Sequence, residues 1–438
     1  MKIYFSTFGC KVNQYETQEM SEILTKAEHT ITSLPEEADV IIVNSCTVTA
    51  EGVRKVRQAF RKFKKLNNNA IMIMTGCASQ AEPEIINVLP EIDILMGNKN
   101  NTKIVEILNT YLENCTQLNA HEVHSKNDDF CGTGISHFDG HTRAFLKIQD
   151  GCDRYCSYCL IPYARGFSRS KPLEDIDNEL KLLNENGYKE VVFVGINLSD
   201  YGKNTIYSLP DALALAEKYE NIERIRLGSL EPDHITKEMI ERLSKIKKLC
   251  PQFHVSLQSG SNTVLKKMNR HYTAEEYEEL TRNLRRYFSD ATITTDILTG
   301  FPTETEEEFN ETLEFAKKIK FEKAHIFPYS VRQGTVAAKL PQLQNSVKES
   351  RAKILTEITD NTRKEFLKSQ VGKTVNVLFE TDKDDFSEGY TENYTPIRVF
   401  DNETRAGKIL RILITNSTDD FCVGIPVGSV VSGKCASY

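Results

Sequence analysis

The chain has no apolar run approaching the ~20 residues that cross a bilayer, and its start, Met1-Lys2-Ile3-Tyr4-Phe5-Ser6, turns polar too quickly for a signal peptide. Neither a membrane anchor nor export is expected. An excess of basic residues is also missing: the formal net charge is −7, which does not advertise a nucleic-acid binder. Internal repeats and low-complexity tracts are absent. Nor do the cysteines form an even disulfide set. There are eleven, and without an export signal an odd number argues for reduced thiols and metal ligation in the cytoplasm. What is present is an ordinary globular composition. The 438 residues are 39% hydrophobic and 27% charged, enough for roughly two to four well-filled domains.

Residues 1–114 alternate strand and helix. Lys2–Phe8, Asp39–Asn44, Ala70–Thr75 and Asp93–Met96 read as short strands; Asn13–Glu28, Val53–Leu66, Gln80–Leu89 and Lys103–Leu112 read as helices. This is the pattern of an open parallel α/β sheet. Its strand ends carry Cys10, Cys46 and Cys77, and functional loops of such sheets lie at the carboxyl ends of strands. Residues 115–142 are polar and aperiodic, an interdomain linker whose histidines (His121, His124, His137, His141) read as exposed. Alternation resumes over 143–369, with strands expected at Arg143–Gln149, Glu190–Val194, Arg224–Gly228, Phe253–Leu257, Thr292–Leu298 and Lys323–Tyr329, and a closing helix at Ser346–Ser369. Over 371–438 the period becomes that of strands (Thr374–Phe379, Thr395–Phe400, Lys408–Thr415, Val427–Gly433), a small β-barrel.

One segment runs against the overall charge. From Thr49 to Leu66 there are seven Lys or Arg, among them Arg54, Arg57, Arg61 and Lys65, against the single acid Glu51. Val53, Val56, Phe60 and Phe63 form an apolar stripe, with the basic residues opposite. Such a face is either solvated or turned to RNA.

The most specific signal is Gly151-Cys152-Asp153-Arg154-Tyr155-Cys156-Ser157-Tyr158-Cys159. It brings three thiolates onto one loop with no fourth cysteine in reach. A structural zinc site takes four closed ligands, so it would need a distant histidine. A [4Fe-4S] cluster takes four thiolates, and three leave one iron open.

That arrangement resembles the radical S-adenosylmethionine (SAM) superfamily, and the six expected strands of 143–369 are similar to its partial (β/α)6 barrel. The resemblance extends along the chain to the methylthiotransferases, built from an N-terminal cysteine domain, a radical SAM core and a TRAM barrel. It rests on Gly9-Cys10-Lys11-Val12-Asn13-Gln14-Tyr15-Glu16-Thr17, Asn44-Ser45-Cys46-Thr47-Val48-Thr49 and Phe327-Pro328-Tyr329-Ser330-Val331-Arg332-Gln333-Gly334-Thr335. These look like the branch acting on N6-threonylcarbamoyladenosine in tRNA. Sister branches act on isopentenyladenosine in tRNA or on an aspartate of a ribosomal protein.

The resemblance implies two [4Fe-4S] clusters, one on Cys152, Cys156 and Cys159 and an auxiliary one on Cys10, Cys46 and Cys77. It implies SAM as cofactor twice over, as methyl donor and as radical source, held by Tyr158, Gly195, Asn197, Ser229, Glu231, Gln258 and Asp296. It implies no acid–base dyad. Arg332 is the candidate for gripping the threonylcarbamoyl carboxylate, since a guanidinium binds a carboxylate through two parallel hydrogen bonds; Tyr329 stands beside it. Arg54, Arg57, Arg61 and Lys65 are the candidate tRNA contacts, and an external electron donor is implied. Residues 371–438 hold seven Lys or Arg against ten Asp or Glu, which keeps the ribosomal-protein branch open. A non-catalytic iron–sulfur electron-transfer protein is the alternative from another class. The sequence departs from the family pattern at Thr303, where glycine usually follows Phe-Pro, and after Cys77, where tyrosine is common.

Overall fold

Six parallel strands, β1 (Lys2–Thr7), β2 (Thr30–Ile31), β3 (Val40–Ser45), β4 (Ile71–Gly76), β5 (Ile94–Leu95) and β6 (Leu118–Asn119), form the first sheet in the order β2-β1-β3-β4-β5-β6. The computed structural model describes residues 1–47, 50–203 and 205–428. Successive residues of a strand face opposite sides, so both faces of β3 and β4 are apolar and both are covered. Ile41, Val43, Met72 and Met74 pack against α2 (Ala50–Leu66) through Val53, Val56, Phe60 and Phe63. Val40, Ile42 and Ile73 pack against α1 (Lys11–Lys26) and α4 (Ile104–Asn114). The helix expected at Gln80–Leu89 is instead a single turn, α3 (Cys77–Ala81), followed by a 3-10 segment over Pro83–Asn87. Pro83 has no N–H to continue the first turn, so the helix restarts there.

The expected linker is not a free tether. Glu19 of α1 accepts the backbone N–H of Thr133 at 2.6 Å, Glu22 accepts that of Ser136 at 2.7 Å, and Ile135 and Phe138 are buried in the core of the central domain. Its histidines are not uniformly exposed either. His124 sits with its side chain 6% exposed against Asn98 at 2.9 Å, His121 meets Gln80 at 2.9 Å and His137 meets Glu22 at 3.2 Å. His137 keeps 45% of its side chain exposed and His141 is exposed, its ring edging onto Phe138 at 4.8 Å.

The central domain is a partial parallel barrel. One sheet holds β7 (Arg143–Lys147), β10 (Glu190–Val194) and β11 (Arg224–Leu227); the other holds β12 (Ser229–Leu230), β13 (Gln252–Val255), β14 (Thr292–Thr299) and β15 (Lys323–Pro328). The expected third strand divides at Gly228, whose N–H bonds back to Phe193 at 2.8 Å. A two-stranded ribbon, β8 (Gln149–Asp150) with β9 (Arg169–Ser170), brackets the cysteine loop. Helices α5 (Ile161–Arg165), α6 (Leu173–Glu185), α7 (Leu209–Ala214), α8 (Lys237–Leu243), α9 (Asn262–Lys267), α10 (Ala274–Tyr287) and α11 (Glu306–Ile319) join the strands, and α12 (Asn345–Ser369) follows the last.

A closed five-stranded barrel ends the described chain: β16 (Thr374–Asp382), β17 (Ser387–Thr391), β18 (Pro396–Val399), β19 (Ile409–Ser417) and β20 (Cys422–Pro426). Sequence reading missed β17, with its Glu and Gly, and β20. The strand expected at Val427–Gly433 does not begin at Val427. Val427 and Gly428 form a turn after Pro426, and 429–433 lie outside the described residues, as do Cys435 and the Val48-Thr49 end of one family motif. The small barrel caps the amino ends of the large barrel's strands. Arg143 donates to Glu380 at 2.9 Å, Arg224 to the Asn376 carbonyl at 2.9 Å, and Arg226 to the Glu392 carbonyl at 3.0 Å with Tyr394 under its guanidinium. Of the small barrel's acids, Glu380 is thereby engaged in internal docking.

Candidate active site

The parallel register builds the first cysteine group. Thr7 pairs with Asn44 and Asn44 with Thr75, so three strands end side by side. Cys10, Cys46 and Cys77 follow those ends. Asn13 of α1 donates to the Asn44 side chain at 3.0 Å, and Asn44 returns a bond to the Asn13 carbonyl at 2.9 Å. These buried amides tie the start of α1, and hence Cys10, to the end of β3. Gly76 adopts φ +98°, and a Cβ there would lie 2.4 Å from the Ser45 carbonyl oxygen. Only glycine lets β4 end close enough to β3 to set Cys77 beside Cys46.

The second group is local. Cys152 N–H bonds to the Gly166 carbonyl at 2.9 Å, Cys159 N–H to the Cys156 carbonyl at 3.0 Å, and Ser157 N–H to the Met268 carbonyl at 2.9 Å. The loop leaves the carboxyl end of β7, the end at which barrel chemistry is generally built. Arg270 holds its Nη1 3.4 Å from Cys156 Sγ and its Nη2 2.5 Å from Glu231.

A buried ionic network joins the two groups. Arg165 is 0% exposed. Its Nε donates to Cys77 Sγ at 3.2 Å, both Nη atoms donate to Glu16, and Nη1 lies 3.4 Å from Asp150. Lys147 pairs with Glu16 at 2.9 Å and with Asp150 at 3.0 Å. Asp150 in turn accepts the N–H of Gly151, the residue before Cys152. Burial alone would raise the Asp150 carboxyl, but Lys147, Arg165 and Arg169 hold it far below the usual carboxylate range. Sequence reading missed Arg165, Arg270, Glu16, Lys147 and Asp150. Glu16 lies within the Gly9–Thr17 run that carries the family resemblance, and Arg165 within Pro162-Tyr163-Ala164-Arg165-Gly166 directly after the cysteine loop.

The residues fit iron–sulfur clusters and SAM better than zinc. Among the described residues the tight group of metal-type ligand atoms, all within 4.8 Å of one another, is His254, Asp296 and His325. Each cysteine group offers three thiols, one short of the closed four-ligand set of a structural zinc. Each group instead receives a guanidinium N–H at one sulfur, the kind of contact that tunes a cluster. Burial pushes the Cys77 and Cys159 thiols up to about 12 and raises Cys152 further, so the thiolate forms need a strongly cationic partner. Asn197, 2% exposed, leaves both polar atoms of its side chain without a partner, a donor and acceptor pair ready for a zwitterionic ligand.

The remaining candidates divide. Gly195 and Asn197 flank the β10 end, with Asn197 N–H bonded to Gln149 at 2.7 Å; Ser229 is exposed at the start of β12; Glu231 meets Arg270. Gln258 takes a left-handed φ of 66°, strain of a kind that gathers at functional sites. Tyr158 packs edge-on to Phe301 at 6.4 Å. Two candidates are placed differently from expectation. Asp296 lies mid-strand with its carboxylate 3.2 Å from His254, turned toward that histidine rather than extended from a strand end. Tyr329 is 4% exposed and packs on Phe301 and Val264, because the chain leaves the strand at Pro328 and carries the ring into that small cluster. Arg332 is 7% exposed and donates to Thr47 at 2.8 Å and Glu82 at 3.0 Å. It thus reaches from the β15 end to the residue after Cys46. Arg332, Arg54 and Arg57 border one cavity of about 700 Å³; Arg61 and Lys65 lie farther along α2, exposed and outside it. Thr303, the departure after Phe-Pro, has φ 66°. The family's glycine suits that conformation, and a β-branched residue there is strained.

A partial parallel barrel with C-x3-C-x2-C after its first strand defines a radical SAM fold. A family signature described as the radical SAM superfamily matches residues 146–316, and one described as uncharacterized protein family UPF0004 matches 2–97. The solved radical SAM methyltransferase TsrM of Kitasatospora setae shares the fold at TM-score 0.56 and 13% identity, over 77% of each chain. The threonylcarbamoyladenosine tRNA methylthiotransferase MtaB of Aquifex aeolicus is 39% identical over 94% of this chain and 100% of its own length. A tRNA-2-methylthio-N(6)-dimethylallyladenosine synthase of Clostridium tetani is 34% identical over 94% of each chain. The chain belongs to the methylthiotransferase family of the radical SAM superfamily, in the MtaB group.

Proposed function

We propose that this protein transfers a methylthio group to carbon 2 of N6-threonylcarbamoyladenosine at position 37 of tRNA, beside the anticodon. The observation that carries the reading is the buried junction of the two cysteine groups, in which Arg165 touches Cys77 and, through Glu16, Lys147 and Asp150, the loop that starts at Cys152. An unactivated aromatic C–H is beyond acid–base chemistry at neutral pH. When bound, two [4Fe-4S] clusters and SAM supply the sulfur, the methyl group and the radical chemistry for that bond.

The chain's own residues hold and orient. Cys152, Cys156 and Cys159 hold the cluster that meets SAM, and Cys10, Cys46 and Cys77 hold the auxiliary one. Gly195, Asn197, Ser229, Glu231 and Gln258 receive SAM at the strand ends, with the Asn197 amide on its methionyl group. Arg332 takes the threonylcarbamoyl carboxylate in place of Glu82. Arg54 and Arg57 receive RNA phosphates at the same cavity. The adenosine leaves its stack to reach the site, as enzymes acting on bases require, and an electron donor from outside the chain completes the system.

Nucleoside mass spectrometry tests the reading directly. Total tRNA from a strain lacking the gene should lose 2-methylthio-N6-threonylcarbamoyladenosine and accumulate its precursor. Loss of the isopentenyl product instead would assign the sister branch, and no change in either would remove tRNA as substrate. Within the enzyme, Arg332→Lys should depress methylthiolation while SAM cleavage without tRNA persists. Equal loss of both would make Arg332 a support of the fold.

A further inference from the structure

Two large aromatic side chains stand in the open beside the cysteine loop. Tyr155, inside the loop, is 43% exposed, and Tyr163, on the turn that follows it, is 58% exposed. Their rings meet edge to face, 5.9 Å apart at an interplanar angle of 81°. Neither belongs to a buried core cluster. Single exposed aromatics are ordinary, but this pair has two further properties. Tyr155 is held at φ 47°, a left-handed conformation that glycine or asparagine would take with less strain. Tyr163 also lines the cavity of about 700 Å³ that Arg54, Arg57 and Arg332 border, where the Nε atoms of Arg57 and Arg332 are buried without a partner. Exposed rings next to unsatisfied guanidinium donors match unpaired nucleotides. Rings stack on bases of any identity, and guanidinium groups neutralise the phosphates between them.

We propose that Tyr155 and Tyr163 form a stacking platform for the unpaired bases flanking the target adenosine, holding the RNA loop open while the target enters the cavity. This rests on the tRNA reading above. An adenosine withdrawn from a loop leaves neighbours that have lost a stacking partner, and an exposed aromatic pair, of which Tyr163 lines the cavity, replaces it.

The test uses full-length protein carrying both clusters and a synthetic anticodon stem–loop with 2-aminopurine next to the target position. Tyr155→Ala with Tyr163→Ala should weaken binding roughly 10-fold or more, as expected for lost base–aromatic stacking. It should also abolish the fluorescence change on binding while leaving the dependence of affinity on salt unaltered. Arg54→Ala with Arg57→Ala should do the reverse, flattening the salt dependence, since each phosphate contact releases counterions. Tyr155→Phe with Tyr163→Trp should restore affinity and signal. Iron content and the absorption spectrum report whether Tyr155→Ala disturbs the loop; if it does, Tyr163→Ala alone carries the test. Wild-type affinity and signal in the alanine variants would overturn the platform and leave the tRNA reading standing. Failure of the unsubstituted protein to bind the stem–loop would overturn both.

Discussion

The two cysteine groups reach the same composition by opposite routes. Cys152, Cys156 and Cys159 are gathered by one loop and its own backbone hydrogen bonds. Cys10, Cys46 and Cys77 are far apart in the chain and meet because three parallel strands end in register and the Asn13–Asn44 amides lock those ends. The first arrangement depends on local conformation. The second depends on the whole sheet, because slipping a strand by one residue reverses its faces and moves its end.

The sharpest way to break the comparison is to remove ligands from one side at a time. Protein reconstituted without oxygen should carry about eight irons, in two four-iron clusters. Cys152→Ala with Cys156→Ala should leave about half, and Cys46→Ala with Cys77→Ala should leave the other half, each pair abolishing methylthiolation. A pair that lost all its iron while still folded would show that the groups are not independent sites.

Next in size is Arg165→Met. It leaves Glu16 and Asp150 buried with less positive charge, and breaking such a network costs about 3–5 kcal/mol. Chemical denaturation should report a loss of that order, and the surviving folded protein should lose iron first from the strand-end group. A stable variant with unaltered iron would mean that Lys147 alone holds the junction.

Asn44→Ala should act on one side only. It deprives the Asn13 amide and carbonyl of their partner, a loss worth about 1–3 kcal/mol per unsatisfied buried group, and it frees Cys10 from β3. Retention of the strand-end iron would show that sheet register suffices without the amides.

The smallest effect concerns pH. Burial, with Arg169 nearby, pushes His124 down to about 4 from its ordinary 6.5. The native state then binds fewer protons than the unfolded chain between those values, so the contribution is present above about 6.5 and lost as pH falls toward 4. His124 meets Asn98, whose amide lies 4.0 Å from Cys77 Sγ, so the strand-end group shares the effect. Between pH 7.5 and 5 the wild type should lose more thermal stability than His124→Gln. Parallel curves would exclude His124.

The loop group was legible because its spacing is written in consecutive residues, and the strand-end group because cysteines at three predicted strand ends are an uncommon coincidence. The partners of those sulfurs were not. Arg165 at 0% exposure and an exposed arginine such as Arg61 look alike in a sequence, since burial of a charge depends on Glu16 and Asp150 arriving from other segments. The same limit misplaced Tyr329, read beside Arg332 but packed on Phe301, and made a tether of residues whose backbone α1 in fact holds.

By itself the sequence determined the α/β alternation, the apolar stripe of α2, the loop that offers three thiolates and the strand ends that offer three more. These follow from periodicity and local turn chemistry, which neighbouring residues settle. Only the tertiary structure decided that Arg165 joins the two groups, that Arg54, Arg57 and Arg332 share a cavity while Arg61 and Lys65 do not, and that Glu380 of the small barrel meets Arg143 of the large one. Each of those facts is a distance between segments remote in the chain, set by packing and by the requirement that a buried charge find its counter-charge.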